Sequence, residues 1–340
     1  MIPRLALALA CLPVSLLLTR WLRYYALQRA LLDVPNERSA HAAPTPTGGG
    51  LAIAATCLLA LVAAWALGWV PGALTAALAG GGAVVAVVGW LDDRVGVSAP
   101  VRLGVQLAAA LWALAWLGGL PGLRLGGWTA PLGVAGPGLA VVGIVWATNL
   151  YNFMDGIDGL AAVEAVQVGG FGALLAGLSG DPPIALVGGL LAASAAGFLW
   201  WNRPPARIFM GDVGSGFLGF VLGALAVASE NRGAVPLLAW AVLAGVFVFD
   251  ATATLLRRVW QGESWWRAHR SHAYQRLAMS GRGHRWVTGA VAVINLALFP
   301  LAAVGTVRPD LSAAGAAVAA LLLLAVYLQA RRAGAVAAGP

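Results

Sequence analysis

The chain has no lysine, only two cysteines, and only 10% charged residues across 340 positions. Soluble globular domains carry about 25% charged residues, so this shortage of charge excludes a soluble globule. The other side of the same composition is 60% hydrophobic residues and a mean hydropathy of +0.83, which point to an integral membrane protein. Cys11 and Cys57 both fall inside apolar runs, which reads as packing and not as a disulfide. No internal repeat supports a transporter built of two halves. No low-complexity tract or domain-length linker interrupts the chain, so residues 1–340 are expected to form a single membrane domain.

Apolar runs of about 20 residues, enough to cross roughly 30 Å of hydrocarbon, recur throughout. About eleven are expected, at 2–22, 48–70, 72–91, 101–117, 134–150, 160–178, 183–201, 213–229, 235–256, 286–306 and 311–330. The predicted fold class is therefore all-α and polytopic. Arg20 and Arg23 follow the first run closely with no small-residue cleavage site, so that run is expected to be a membrane helix and not a removed signal peptide. Alternating the runs leaves Arg4, Arg124, Arg232 and Arg308 on one face and every other arginine on the opposite face. The positive-inside rule makes the crowded face cytoplasmic, with the N-terminus outside and the C-terminus inside. The net charge of +8 is carried in loops around the membrane, so contacts with anionic lipid or phosphate are expected and nucleic acid is not.

The cytoplasmic loops, 23–47, 92–101, 151–159, 202–212 and 257–285, gather most of the acids. The first runs from Asp33 through Pro35 and His41 into Gly48-Gly49-Gly50. Successive glycines let the backbone approach a partner closely where a helix begins, and a helix N-terminus favours an anion; a plain turn accounts for the same residues. Asp92-Asp93-Arg94 ends a run otherwise bare of charge. Adjacent carboxylates repel, so either a cation or arginine offsets them or one holds a proton. That suits a general base or a metal neighbour, with Arg102 placed to point back as a phosphate contact; a solvated helix cap is the alternative.

Asn149-Leu-Tyr-Asn152-Phe-Met-Asp155-Gly-Ile-Asp158-Gly follows. If a helix resumes here, Asn152, Asp155 and Asp158 recur three apart on one face. Their oxygens are hard ligands of the kind Mg²⁺ prefers, water and phosphate completing the shell. Phe209-Met-Gly-Asp212-Val-Gly-Ser-Gly opens another apolar run. Asp212 can cap that helix or face a cation, and Phe209 can face lipid or stack on a base. In the 257–285 loop, His269 and His272 stand three apart with no third soft ligand near, which favours contact with a phosphate over a zinc site. Asp250 is expected to cap a helix or pair with Arg257.

In this order, from Asp33 to about Arg276, these stretches resemble the polyprenyl-phosphate N-acetylhexosamine-1-phosphate transferase family. The resemblance implies transfer of a sugar 1-phosphate from UDP-GlcNAc or a UDP-6-deoxy-N-acetylhexosamine to undecaprenyl phosphate, with release of UMP and use of Mg²⁺ or Mn²⁺. It implies that Asp212 and Asn152 hold the metal and that Asp158 and Phe209 bind uracil. Asp92, with Asp93 beside it, matches the carboxylate that activates the lipid phosphate, and Asp155 lies beside the metal and pyrophosphate. Arg102, His269 and His272 match positions near the phosphates; Asn149 and His41 join the substrate-binding set. Ser39 stands where many members have lysine, and His269-Arg-Ser-His272 replaces the His-x-His of several subgroups. Both features resemble the branch that initiates O-antigen synthesis. The resemblance further implies a multi-pass protein of the bacterial inner membrane, surrounded by lipid, with a homodimer as one possible assembly. An ion-coupled membrane transporter is the competing class. Transporters place ionisable residues near the bilayer midplane, whereas these acids cluster at one face.

Overall fold

The computed structural model describes residues 2–33, 44–263 and 270–337, so His41 and His269 lie outside the described residues. Each apolar run read from the sequence is helical. The order is α1 (Ile2–Gln28), β1 (Leu32–Asp33), β2 (Thr45–Pro46), α2 (Gly50–Ala66), α3 (Gly72–Thr75), α4 (Gly81–Val95), α5 (Ala99–Leu117), β3 (Gly122–Leu125), β4 (Trp128–Pro131), α6 (Ala135–Met154), α7 (Leu160–Leu178), α8 (Pro182–Asn202), α9 (Asp212–Asn231), α10 (Leu237–Leu243), α11 (Gly245–Trp260), α12 (Ala273–Leu277), α13 (Gly283–Val307) and α14 (Ser312–Ala337). A π-helical turn, Ala76–Gly80, joins α3 to α4 in one continuous span, Gly72–Val95.

Local signals set the ends. Asp181 accepts a hydrogen bond from the Ile184 amide at 3.0 Å, and Pro182 and Pro183 fill the first turn of α8, where no intrahelical donor is lost. The turn after α5 takes Gly118 at a left-handed φ of 78°.

Among the described residues, eight helices are long and apolar enough to cross a membrane, or up to nine if one bent pair counts as a single span. The expected run at 48–70 is helical over only 17 residues as α2. The expected run at 235–256 is broken: α10 and α11 meet at Ala244 with a bend of 83°. That break turns α11 so that Asp250 reaches the amides of Ala273 and Tyr274 at the start of α12, at 3.0 and 3.1 Å. Among the described residues, two short antiparallel strand pairs, β1–β2 and β3–β4, interrupt the all-α expectation. The chain is otherwise a polytopic helical membrane protein.

The bundle is built around α9, which is almost wholly buried, while α1, α5 and α14 keep most of their surface outward. Outward leucines and tryptophans such as Leu5, Leu9, Trp21, Leu111 and Leu321 suit a hydrocarbon solvent. Gly89 permits the crossing that matters most for the site: a Cβ there would stand 2.5 Å from the Asp212 carbonyl oxygen. Small residues let membrane helices approach at backbone distance, and this one brings the Asp92-Asp93 end of α4 against the start of α9. At the opposite end of the bundle, Glu230 accepts from the amide and guanidinium of Arg124 at 2.7 and 3.2 Å. Arg232 pairs with Asp181 at 2.7 Å. Those contacts tie the β3–β4 hairpin and the α7–α8 turn to the end of α9.

Candidate active site

A cleft of about 670 Å³ opens where α4, α6 and α8 end and α9 and α13 begin. It lies within the 300–1,000 Å³ range of small-molecule sites. Its walls carry five carboxylates, Asp33, Asp93, Asp155, Asp158 and Asp212, together with Asn152, Phe209, Arg270 and His284. A smaller side pocket shares Asn152 and Asp212 with it and is lined by Arg102, Gln106 and Asn149.

Asp93 is held by the backbone. Its two oxygens accept from the amides of Asp212 at 2.8 Å and Val213 at 3.2 Å, so a carboxylate from α4 caps the first turn of α9. The positive end of the helix dipole and its free N–H groups favour that charge. Gly211, at φ 77°, leaves the room, since a Cβ there would lie 2.5 Å from an Asp93 oxygen.

Asp92 points away from the cleft. One of its oxygens accepts from the Val97 amide at 2.6 Å and the other pairs with Arg102. The same guanidinium nitrogen reaches Asp212 at 3.1 Å. Arg102 thus points back as the spacing suggests, but onto two carboxylates. Asp212 receives a second donor, the Asn152 side-chain amide, at 2.7 Å, and that amide also reaches Ser215 at 3.1 Å. Asn149 is fixed by Gln106 at 2.6 Å and by the Val145 carbonyl at 2.8 Å.

Asp155 and Asp158 occupy the α6–α7 loop. Burial pushes the Asp155 carboxyl well above its ordinary range, and the nearby charges of Asp212, Asp93 and Asp158 push it further. Asp158 is supported on three sides: the Ala206 amide donates to one oxygen at 3.0 Å, His284 stands 3.3 Å from the other, and Thr288 donates to its backbone carbonyl at 2.9 Å.

Of the residues singled out in the sequence, Asp93, Asn152, Asp155, Asp158, Phe209 and Asp212 come together on the cleft. Arg102 and Asn149 adjoin it. His272 does not line it: the ring is buried behind Phe153 and Tyr274 and lies 3.4 Å from Asp250. Asp250 caps α12 and does so without Arg257. Sequence reading passed over His284. Its signal was available, as one of only four histidines, at the head of an apolar run. Gln106 and Glu164 carried no local motif and were missed for that reason.

Among the described residues, no group of three or more His, Cys, Asp or Glu side chains stands in metal-ligating geometry. The donors that are present suit a cation that takes one or two carboxylates and leaves the rest of its shell to water and phosphate, the habit of Mg²⁺. Asp212 and Asn152 stand adjacent on the wall of that cleft, 2.7 Å apart.

The arrangement also has relatives. Residues 74–230 match glycosyl transferase family 4. The chain is 30% identical over 311 residues to a probable undecaprenyl-phosphate N-acetylglucosaminyl 1-phosphate transferase of Bacillus subtilis (strain 168), covering 85% of this chain and 81% of that protein. It is 31% identical over 303 residues to the decaprenyl-phosphate N-acetylglucosaminephosphotransferase of Mycolicibacterium smegmatis, covering 78% and 73%. A phospho-N-acetylmuramoyl-pentapeptide-transferase of Gluconobacter oxydans is 34% identical over 266 residues, covering 66% and 69%. The matched region spans α4, α6 and α9, whose ends place Asp93, Asn152 and Asp212 on one cleft, and with that likeness the chain belongs to glycosyl transferase family 4, the polyprenyl-phosphate N-acetylhexosamine-1-phosphate transferases.

Proposed function

We propose that this chain transfers an N-acetylhexosamine 1-phosphate from a UDP-sugar to undecaprenyl phosphate, giving undecaprenyl-diphospho-sugar and UMP. The observation that carries the reading is the convergence of Asp212, Asn152, Asp93, Asp155 and Asp158 on one open cleft at one end of the helices. N-acetylglucosamine is the favoured sugar: relatives named for it align over 74–85% of the chain, those named for the muramoyl pentapeptide over 63–66%. The product starts O-antigen or another cell-envelope glycan. The arginine-rich loops support a reading in which the cleft faces the cytoplasm at the bacterial inner membrane, where UDP-sugars are available. The comparisons lend the transporter alternative no support.

In the reaction, an oxygen of the lipid phosphate bonds to the sugar-linked phosphorus as the bond from that phosphorus to the bridging oxygen breaks and UMP departs. Phosphoryl transfer of this kind depends on positioning and charge neutralisation. Mg²⁺ or Mn²⁺, held by Asp212 and Asn152, would neutralise the pyrophosphate. Asp93 fixes the start of α9 and with it the position of Asp212. Asp92 acts by holding Arg102 beside Asp212, where the guanidinium borders the side pocket and can meet an incoming phosphate. Asp158 and Phe209 receive the nucleobase, and Asn149 keeps Gln106 and the side pocket in register.

The test is UMP release by purified protein in detergent with undecaprenyl phosphate, Mg²⁺ and a panel of UDP-N-acetylhexosamines. UMP from at least one donor, lost on adding EDTA, is expected. A folded protein that releases none from any donor contradicts the reading.

A further inference from the structure

Three guanidinium groups from three helices converge at one end of the bundle. Arg257 lies in the last turn of α11, Arg276 in α12 and Arg331 near the end of α14. Their helices meet where Ala273, Tyr327 and Ala330 pack together with Ala253. Each arginine stands one turn beyond that contact, at 253 to 257, 273 to 276 and 327 to 331. Arg276 is close enough to Arg257 and Arg331 to be repelled by both, and Arg331 lies over the Tyr327 ring at 6.0 Å. Among the described residues none of the three forms an ion pair, and Nε of Arg257 and of Arg331 is buried with no hydrogen-bond partner. The acids nearest in the chain are engaged elsewhere: Glu263 pairs with Arg258 at 2.7 Å, and Asp250 accepts from the amides that open α12. Residues 264–269 add Arg267 and His269 but no carboxylate. Like charges gathered in this way repel unless an anion joins them.

Ala273, Tyr327 and Ala330 also form one wall of a cavity of about 370 Å³ between α11, α12, α13 and α14. The cavity follows α13 from Arg282 to Ile294 and α14 from Leu323 to Ala333, a run of about 15–18 Å at 1.5 Å per residue. Val246, Val291, Ile294 and Leu323 line the end away from the arginines. Arg282, over the Trp286 ring at 4.2 Å, lines the other. A long apolar space leading up to cations that lack partners matches a molecule with an alkyl chain and an anionic head. We propose that the cavity holds an acyl chain of an anionic phospholipid whose phosphate is shared by Arg257, Arg276 and Arg331. Basic pockets between membrane helices bind such headgroups, and guanidinium pairs well with phosphate oxygens. A lipid that reacts in the cleft fits this place less well. The cavity and the cleft share no lining residue: α12 gives Ala273 and Leu277 to the cavity, while Gln275 and the adjoining Ala278 line the cleft. A phosphate beside Arg331 therefore lies across α12 from Asp212.

The experiment titrates phosphatidylglycerol and phosphatidylcholine into the full-length protein in neutral detergent, counts bound lipid by native mass spectrometry and follows thermal unfolding. Wild type is expected to bind one phosphatidylglycerol about tenfold or more tighter than phosphatidylcholine, and to unfold at a higher temperature once it is bound. Arg276→Gln and Arg331→Gln should each weaken that binding by about fivefold, the loss of one basic contact to an anionic headgroup. Without lipid, both variants should unfold no lower than wild type, because each removes a repelling neighbour; that separates lost binding from lost folding. Ala290→Phe, which fills the cavity from α13, should weaken phosphatidylglycerol binding with all three arginines in place. Equal binding of the two lipids overturns the proposal, as does a preference that survives in the Arg276→Gln/Arg331→Gln double variant. Stabilisation matched by inorganic phosphate alone would make the arginines a free-anion site and overturn the phospholipid. Displacement of the bound phosphatidylglycerol by equimolar undecaprenyl phosphate would do so as well. No sugar nucleotide enters these measurements, so their outcome is independent of the transferase reading.

Discussion

The Asp93 carboxylate caps the helix that carries Asp212, accepting from the Asp212 amide at 2.8 Å and the Val213 amide at 3.2 Å. A residue that the sequence offers as a general base is thus committed to the first turn of α9. Asp93→Ala should cost about 0.5–2 kcal/mol, the usual loss for a capping acceptor, read as a lower thermal unfolding temperature in detergent. UMP release should fall further than stability, because Asp212 sits on the turn that loses its cap. Asp93→Asn, which keeps one acceptor, should lie between.

Asp155 supplies a pH dependence. Its carboxyl is raised by burial first and by neighbouring carboxylates second. A group raised in the folded state contributes stability that is complete below its unfolded value, about 3.9 for aspartate, and is lost as pH climbs through the raised one. Asp155→Asn cannot ionise and escapes that loss. In EDTA, the unfolding temperature of the variant relative to wild type should therefore rise between about pH 5 and about pH 8, while its activity is lost. A constant difference across that range would show that Asp155 titrates normally.

Arg102 bridges Asp92 and Asp212. Arg102→Ala leaves two acids without their shared cation, which strengthens the attraction for any other cation. The expected outcome is a kcat lower by about tenfold or more together with a lower Mn²⁺ concentration for half-maximal activity. The Arg102 side chain is 38% exposed, so the shift in Mn²⁺ requirement should be modest and should shrink at high salt.

Glu164 has 0% exposure, and Asn295 is its donor at 2.6 Å. Asn295→Leu strands the carboxyl group among apolar helices and should cost about 1–3 kcal/mol or more. Because the same contact holds α13 to α7, the variant should also weaken UMP binding at Asp158. Glu164→Gln, which still offers Asn295 a carbonyl acceptor, should be milder on both measures.

Much of this was legible in the sequence. Apolar runs of span length located the long helices, though α12 lies inside the expected 257–285 loop, and Asn152, Asp155, Asp158 and Asp212 could be grouped because each sits at a run boundary on the same inferred face. What escaped was set by long-range contacts. The break at Ala244 has no proline to announce it, and the contact it permits, Asp250 to the start of α12, is long-range. The partners of Asp92 and Asp93 depend on the close crossing at Gly89. His272 looked like a phosphate contact by spacing, yet its nearest acid is Asp250 on α11. His284 met its partner 126 residues away in the chain, a distance no local motif spans.

The most direct measurement is UMP release by wild type and Asp212→Asn over a Mg²⁺ titration, with undecaprenyl phosphate and the donor that wild type accepts. A carboxylate that holds the cation should make the substitution abolish turnover at every Mg²⁺ concentration while the protein stays folded and inserted. Turnover by Asp212→Asn matching wild type at saturating Mg²⁺ would contradict a metal held by Asp212.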